Sequence, residues 1–248
     1  MKFLTRQGFN SLTGLDVVRV SGQHTLRTHL SVILEEYRID RVIDVGANEG
    51  GFGNLLRSIG FRGEIYSFEP VSSAYQVLHE TSSRDPRWHA YKLALGSCNK
   101  TATIHVSKFT QMSSFLEAST YGAQTWPNLK IDSDEDVEIR TLSECYRQGL
   151  VPDGGRVLLK MDTQGFDLEV FKGAMPMRKN IVCLLSELSL LKVYDGMPDF
   201  VESISMFRDS GFVVTGMFPI TRNNLLSVNE VDCVLADPTQ HPRNSGSQ

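Results

Sequence analysis

From residue 41 onward, short and nearly continuous apolar runs alternate with longer amphipathic stretches. Apolar runs bounded by turn residues fit buried strands, whereas apolar positions three and four apart fit helices. The runs are VIDV (Val42 to Val45), EIYSFEP, HAYKLALG (read as one strand), ATIHVS, VEIRTL, RVLLKMD, IVCLLSE, GFVVTGMF and EVDCVLAD. Between them, helices are predicted over residues 52–59, stopped by Gly60, over 72–83 with a serine cap, and over 142–148, 166–172 and 198–210. Ahead of the first strand, residues 24–37 place Leu26, Leu30, Ile33 and Leu34 on one helical face, with Arg27, Glu35 and Glu36 opposite. Strands separated by helices imply parallel βαβ units in an α/β, doubly wound sheet. The last two runs have no helix between them and are expected to pair antiparallel, which leaves one reversed strand near the end of a mainly parallel sheet.

A chain of 248 residues fits one such domain. The expected organisation is an N-terminal helical segment (1–40) packed on a Rossmann-like domain (41–238), a polar insertion at about 108–136, and a flexible tail (239–248). The net charge of −4, with no cluster of Lys or Arg, argues against nucleic acid held by bulk electrostatics and favours a small or neutral partner. Cys98, Cys145, Cys183 and Cys233 are far apart and form no C-x-x-C pair, as expected of reduced thiols in a cytoplasmic protein. Lys2 and Arg6 are followed by no sustained apolar run, so neither a signal peptide nor a membrane span is expected. The oligomeric state is not legible.

Gly46, Gly50, Gly51 and Gly53 crowd the turn after the first strand, where backbone N–H groups and a helix N-terminus can approach a ligand. A dinucleotide loop, G-x-G-x-x-G, fails because Asn48 stands where its second glycine belongs. The D-x-G-x-x-x-G of Asp44, Gly46 and Gly50 instead resembles the S-adenosylmethionine loop of class I methyltransferases. Glu69 ends the second strand, where a carboxylate can accept from the two hydroxyls of a ribose. An NAD-dependent oxidoreductase would want the same acid, so the turn and Glu69 indicate a nucleoside cofactor and leave open which. A non-catalytic cofactor-binding protein also fits them.

The segments VIDVGANEGGF, SFEP, LALG, LLKMDTQGFDLEVFKGA and VDCVLAD resemble, in order and spacing, those of the FkbM family of sugar and polyketide O-methyltransferases. The resemblance implies a class I methyltransferase fold of seven strands with helices on both faces, and S-adenosylmethionine as cofactor. It implies that Gly46, Asn48 and Gly50 line the methionine and ribose portions, Glu69 with the adjoining Pro70 the ribose, and Ala94 and Leu95 the adenine. The acceptor it implies is a hydroxyl of a sugar, glycan or glycosylated metabolite. The family usually carries Glu where this chain has Gln164.

Moving a methyl group onto a hydroxyl calls for a base, because a hydroxyl is a poor nucleophile at neutral pH. Ligands of open α/β sheets bind beyond the carboxyl ends of the strands. Asp162 and Glu187 end two strands, and Asp232 begins one expected to run in reverse, so the three carboxylates are predicted to converge. Asp162 is the first choice as base or cofactor-orienting acid, with a helix N-cap as the alternative. Lys160 and Asp162 share a strand face and can pair. Three carboxylates could also hold Mg²⁺, but no D-x-D cluster fixes such a site and metal is not favoured. The six histidines form no H-x-x-H pattern. Residues 108–136 and 219–229 are the candidate acceptor pocket, with Ser113, Ser114, Tyr121, Trp126, Phe218 and Arg222 carrying the aromatic and hydrogen-bonding character a sugar needs.

Overall fold

Seven apolar runs assemble into one sheet: β1 (Arg41–Val45), β2 (Glu64–Phe68), β3 (Trp88–Tyr91), β7 (Val157–Met161), β8 (Ile181–Ser189), β9 (Val213–Arg222) and β10 (Val228–Ala236). A computed structural model describes residues 25–126 and 129–244. The rest of the predicted N-terminal segment, Pro127 and the end of the predicted tail lie outside the described residues. The strand order is β3-β2-β1-β7-β8-β10-β9. β10 runs antiparallel to β8 and β9, and the other pairings are parallel. This is the predicted α/β class I methyltransferase sheet with one reversed strand.

Strand alternation sends the apolar side chains to two faces, and each face has its own helices. On one, Ile43, Val45, Leu159 and Leu184 pack with Leu142 of α5 (Leu142–Arg147), Phe171 of α6 (Asp167–Ala174) and Phe207 of α7 (Phe200–Asp209). On the other, Val42, Leu158, Leu185 and Val234 pack with Leu30 of α1 (Leu26–Glu36), Leu56 of α2 (Gly51–Ser58) and Leu78 of α3 (Ser72–Ser82). α1 therefore packs on the sheet domain through the apolar stripe read from its sequence. At the other terminus, Pro238–Gln240 and Pro242–Asn244 form short 3-10 turns, and Arg243 donates to Glu36 of α1.

Three local expectations are corrected. HAYKLALG is not one strand: β3 pairs with β2, whereas β4 (Ala94–Leu95) pairs with β6 (Ile131–Arg140) of a second, three-stranded sheet. The polar insertion is partly that sheet, because β6 also pairs antiparallel with β5 (Lys100–Ser107). The acidic first half of β6 is exposed, so no apolar alternation marks it as a strand. Third, α3 has no serine cap. Its N-cap is Val71, and the side chain of Glu135 from β6 accepts from the Ser72 backbone N–H at 3.0 Å and from the Ser72 hydroxyl. No helix among the described residues is long and apolar enough to cross a membrane.

Candidate active site

β1 ends at Val45 and the chain turns through left-handed backbone at Gly46 (φ 73°), Asn48 (φ 46°) and Gly50 (φ 89°) before α2 begins. A Cβ on Gly46 would stand 1.9 Å from the carbonyl oxygen of Asp162. Glycine is thus required first by the approach of the β1 and β7 ends to each other, ahead of any ligand. Gly53 serves α2 in the same way, since a Cβ there would meet the Trp88 indole at 2.1 Å.

Asp44, expected in the cofactor loop, is wholly buried behind it. Its carboxylate accepts from Ser67 Oγ at 3.2 Å and lies 3.1 Å from Lys160 Nζ. Strand alternation explains the placement: Asp44 and Lys160 are register partners on β1 and β7 and point to one face. Lys160 Nζ also donates to the Gly46 carbonyl at 2.9 Å and lies 3.4 Å from Asp162 Oδ2, so one buried ammonium ties the turn to the end of β7. Burial opposes its charge, but the neighbouring carboxylates overcome this and raise its pKa.

Beyond the carboxyl ends of β1, β2 and β7 lies an open cleft. Gly46, Asn48, Glu69, Pro70, Ala94, Leu95 and Asp162 line it; Asp44 and Gly50 do not. Ala94, Leu95, Ile104, Phe115 and Phe166 give it an apolar side. Glu69, which is 6% exposed, uses one carboxylate oxygen to accept from Asn48 N–H and the other from Val71 N–H, both at 2.8 Å. Each oxygen keeps a second acceptor position. Burial pushes the Glu69 carboxyl up to about 7, against those two N–H bonds.

Asp162, Glu187 and Asp232 are brought to one place. Glu187 and Asp232 are register partners on β8 and β10, and the Asp162 and Glu187 carboxyls are within hydrogen-bonding reach of each other. Burial would raise Asp162, but the Lys160 ammonium and hydrogen bonds from Glu187, Gln164 and Lys160 hold it below the usual range. Glu187 is pushed well up, by burial and then by the Asp162 charge. Asp232 rises to about 6 for the same two reasons. The Asp162 side chain is 39% exposed and faces the cleft, whereas Glu187 borders a smaller pocket beside it. Asp162 caps no helix: α6 starts at Asp167 with Phe166 as N-cap. No group of three or more His, Cys, Asp or Glu among the described residues is placed to hold a metal ion.

Of the candidate acceptor residues, Ser113 alone lines the cleft. Ser114 is buried and donates to the Gln164 carbonyl oxygen at 2.7 Å. The Tyr121 hydroxyl donates to buried Asn229 at 2.9 Å, and the Tyr121 ring meets Trp126 edge-on. Phe218 rests against His29 of α1 (ring centroids 5.4 Å apart), and Arg222 donates to Leu226 O at the tip of the β9–β10 hairpin. Phe218 and Arg222 sit on β9 and do not line this cleft, and much of 219–229 is strand rather than loop. Sequence reasoning missed Thr110, Gln111 and Phe115 as lining residues. Thr110 belongs to a 3-10 turn (Thr110–Met112) and its hydroxyl donates to Asn48 Oδ1 at 3.1 Å, closing the insertion over the glycine turn. The polar insertion was the signal, but nothing in its pattern singles out these three.

Among solved structures, the chain is similar to an rRNA methylase from Streptococcus thermophilus (11% identity, 85% of this chain and 93% of that chain, TM-score 0.46). It is similar to the magnesium protoporphyrin IX methyltransferase of Synechocystis with bound SAM (10% identity, 93% and 94%, TM-score 0.46). It is similar also to Aeropyrum pernix fibrillarin with S-adenosyl-L-methionine (11% identity, 84% and 74%, TM-score 0.44). No curated protein matches the chain. Residues 44–214 match the methyltransferase FkbM domain, a span from the buried carboxylate behind the glycine turn, through the acid pair, into β9; the chain belongs to the FkbM family of methyltransferases.

Proposed function

We propose that this S-adenosylmethionine-dependent methyltransferase acts on a hydroxyl of a sugar, glycan or glycosylated metabolite. The carrying observation is Asp162, a carboxylate held ionised by Lys160 and open to the cleft at the carboxyl end of β7. When bound, the cofactor supplies a methyl group on a positive sulfur that is its own leaving group. Glu69 would accept from the ribose hydroxyls, and the Ala94, Leu95 and Phe166 side of the cleft would take the adenine. Asp162 would take the acceptor proton, with Glu187 and Asp232 completing the acid cluster. A carboxylate suffices as base because the hydroxyl becomes strongly acidic as its oxygen gains a third substituent. The family resemblance supports a sugar hydroxyl, and the net charge of −4 favours such an acceptor over nucleic acid. Incubation with methyl-labelled cofactor and a panel of neutral glycosides and glycans should give label in alkali-stable ethers. Label confined to esters or amines would sink the hydroxyl reading, and label confined to RNA would sink the glycan or metabolite acceptor.

Glu69 makes the cofactor role testable by pH. Ribose hydroxyls donate to the ionised carboxyl, so binding favours loss of its proton and pulls down a pKa that burial has raised to about 7. Affinity for S-adenosylhomocysteine is therefore expected to rise between pH 6 and 8 and then level off. Glu69→Gln should remove this slope and weaken binding by about 1–3 kcal/mol. Calorimetric titration at several pH values checks both; a flat wild-type profile with an unaffected variant removes Glu69 from the site.

A further inference from the structure

Gln164 stands between two spaces. On one side it lines the cleft, and on the other a smaller pocket bordered by Glu187, Ser189, Tyr194 and Glu230. Its backbone is left-handed (φ 52°), an uncommon conformation for a residue with a side chain, and the Ser114 hydroxyl bonds its carbonyl oxygen. The side-chain amide nitrogen donates to Glu187 Oε2 at 3.1 Å and to Asp162 Oδ1 at 3.4 Å. The amide oxygen accepts from the Tyr194 hydroxyl at 2.9 Å, a proton that Tyr194 can instead give to the Met112 carbonyl. A neutral donor is thus wedged against two adjoining acids, in a backbone conformation that the insertion holds.

Resting on the methyl-transfer reading above, we propose that Gln164 is a positioning residue whose amide braces Asp162 and Glu187 together at the wall between the two spaces, so that the pair meets an acceptor hydroxyl in one arrangement. Two adjoining carboxyls do not both ionise readily, and such a pair titrates as a unit. Lys160 favours negative charge on Asp162, while burial and that charge push the Glu187 carboxyl up, which favours the proton on Glu187. An amide hydrogen-bonds both acids without adding charge. A carboxylate at this position would place a third acid beside them. Asp167 of α6, Glu230 and Asp232 of β10, and the Tyr194 hydroxyl also face the pair, and Lys160 is already shared with Asp44.

The test uses Gln164→Glu and Gln164→Met, each first checked for folding by its melting temperature; should the Glu variant not fold, the Met variant carries the test. Carboxyl titration is followed by carbon-13 NMR on the ligand-free protein labelled at Asp and Glu, and the pH dependence of turnover is followed on the complete enzyme. Gln164→Glu should move the cluster's titration, and the acid limb of turnover, upward by about one pH unit or more. Gln164→Met keeps the length and loses the donor. It should lower kcat by about 10–100-fold, with the cofactor KM changed less than about threefold and the acid limb nearly in place. An unmoved titration in the Glu variant, or wild-type kcat in the Met variant, overturns the brace. A wild-type enzyme that methylates no hydroxyl overturns the hydroxyl reading alone, because the ligand-free titration still reports on Gln164.

Discussion

Asp162→Asn is expected to lower turnover by about 10²–10⁴-fold, the usual contribution of a general base, while the protein still folds. Asn keeps the shape of the side chain, and the contact with Gly46 uses the backbone oxygen of residue 162, which the substitution leaves alone. Lys160 keeps Asp44 at 3.1 Å, so its buried charge is not left without a partner. Affinity for S-adenosylhomocysteine should accordingly change much less than turnover. Loss of the Asp162 charge also removes a main cause of the raised Glu187 pKa, which should fall. If the two acids act as a unit, adding Glu187→Gln to Asp162→Asn should cost little more than the single change. Single-turnover methyl transfer and calorimetry on the same preparations separate the cases. A collapse of affinity with turnover of the bound complex intact would make Asp162 a cofactor-orienting acid. No change in either would remove it from the reaction.

The parts of the site legible in the sequence are those fixed by strand ends. RVIDV and RVLLKMD are apolar on both faces because helices cover both sides of the sheet, and their carboxyl ends place Gly46 and Asp162 at the cleft. The reversed strand was legible from the missing helix before EVDCVLAD, and with it the meeting of Asp232 and Glu187. What the motif could not tell is which of its residues face a ligand. Asp44 fits the cofactor pattern but points at Lys160, because a spacing in sequence does not say which face of the strand a side chain occupies.

The insertion was opaque for a different reason. β6 is exposed and acidic over its first half and owes its strand conformation to β5, a partner some thirty residues earlier that no local signal identifies. HAYKLALG carries no Gly or Pro at the point where it leaves one sheet for the other. The break comes from a change of pairing partner, which is a long-range property. Gln164 could be noticed as a departure from the family, but whether its amide suffices there depends on Glu187 and Tyr194, twenty-three and thirty residues away.

Gly46→Ala is expected to destabilise the fold by about 3 kcal/mol or more, combining left-handed backbone with an overpacked contact. At about 2–4 °C per kcal/mol for a domain of this size, the melting temperature should fall by about 6–12 °C. The two causes can be separated inside the same protein. Gly60 has φ 94° but nothing within 4 Å of where a Cβ would stand, whereas Gly46 at φ 73° would put its Cβ 1.9 Å from the Asp162 carbonyl oxygen. Gly60→Ala should therefore show the backbone cost alone, about 1–2 kcal/mol, and leave S-adenosylhomocysteine binding intact. Gly46→Ala must push the ends of β1 and β7 apart, and those ends carry Asn48 on one side and Asp162 on the other. Binding should be lost even at temperatures where the variant remains folded. Equal melting of the two variants, with wild-type affinity in both, would show that the β1–β7 approach is not what holds this cleft in shape.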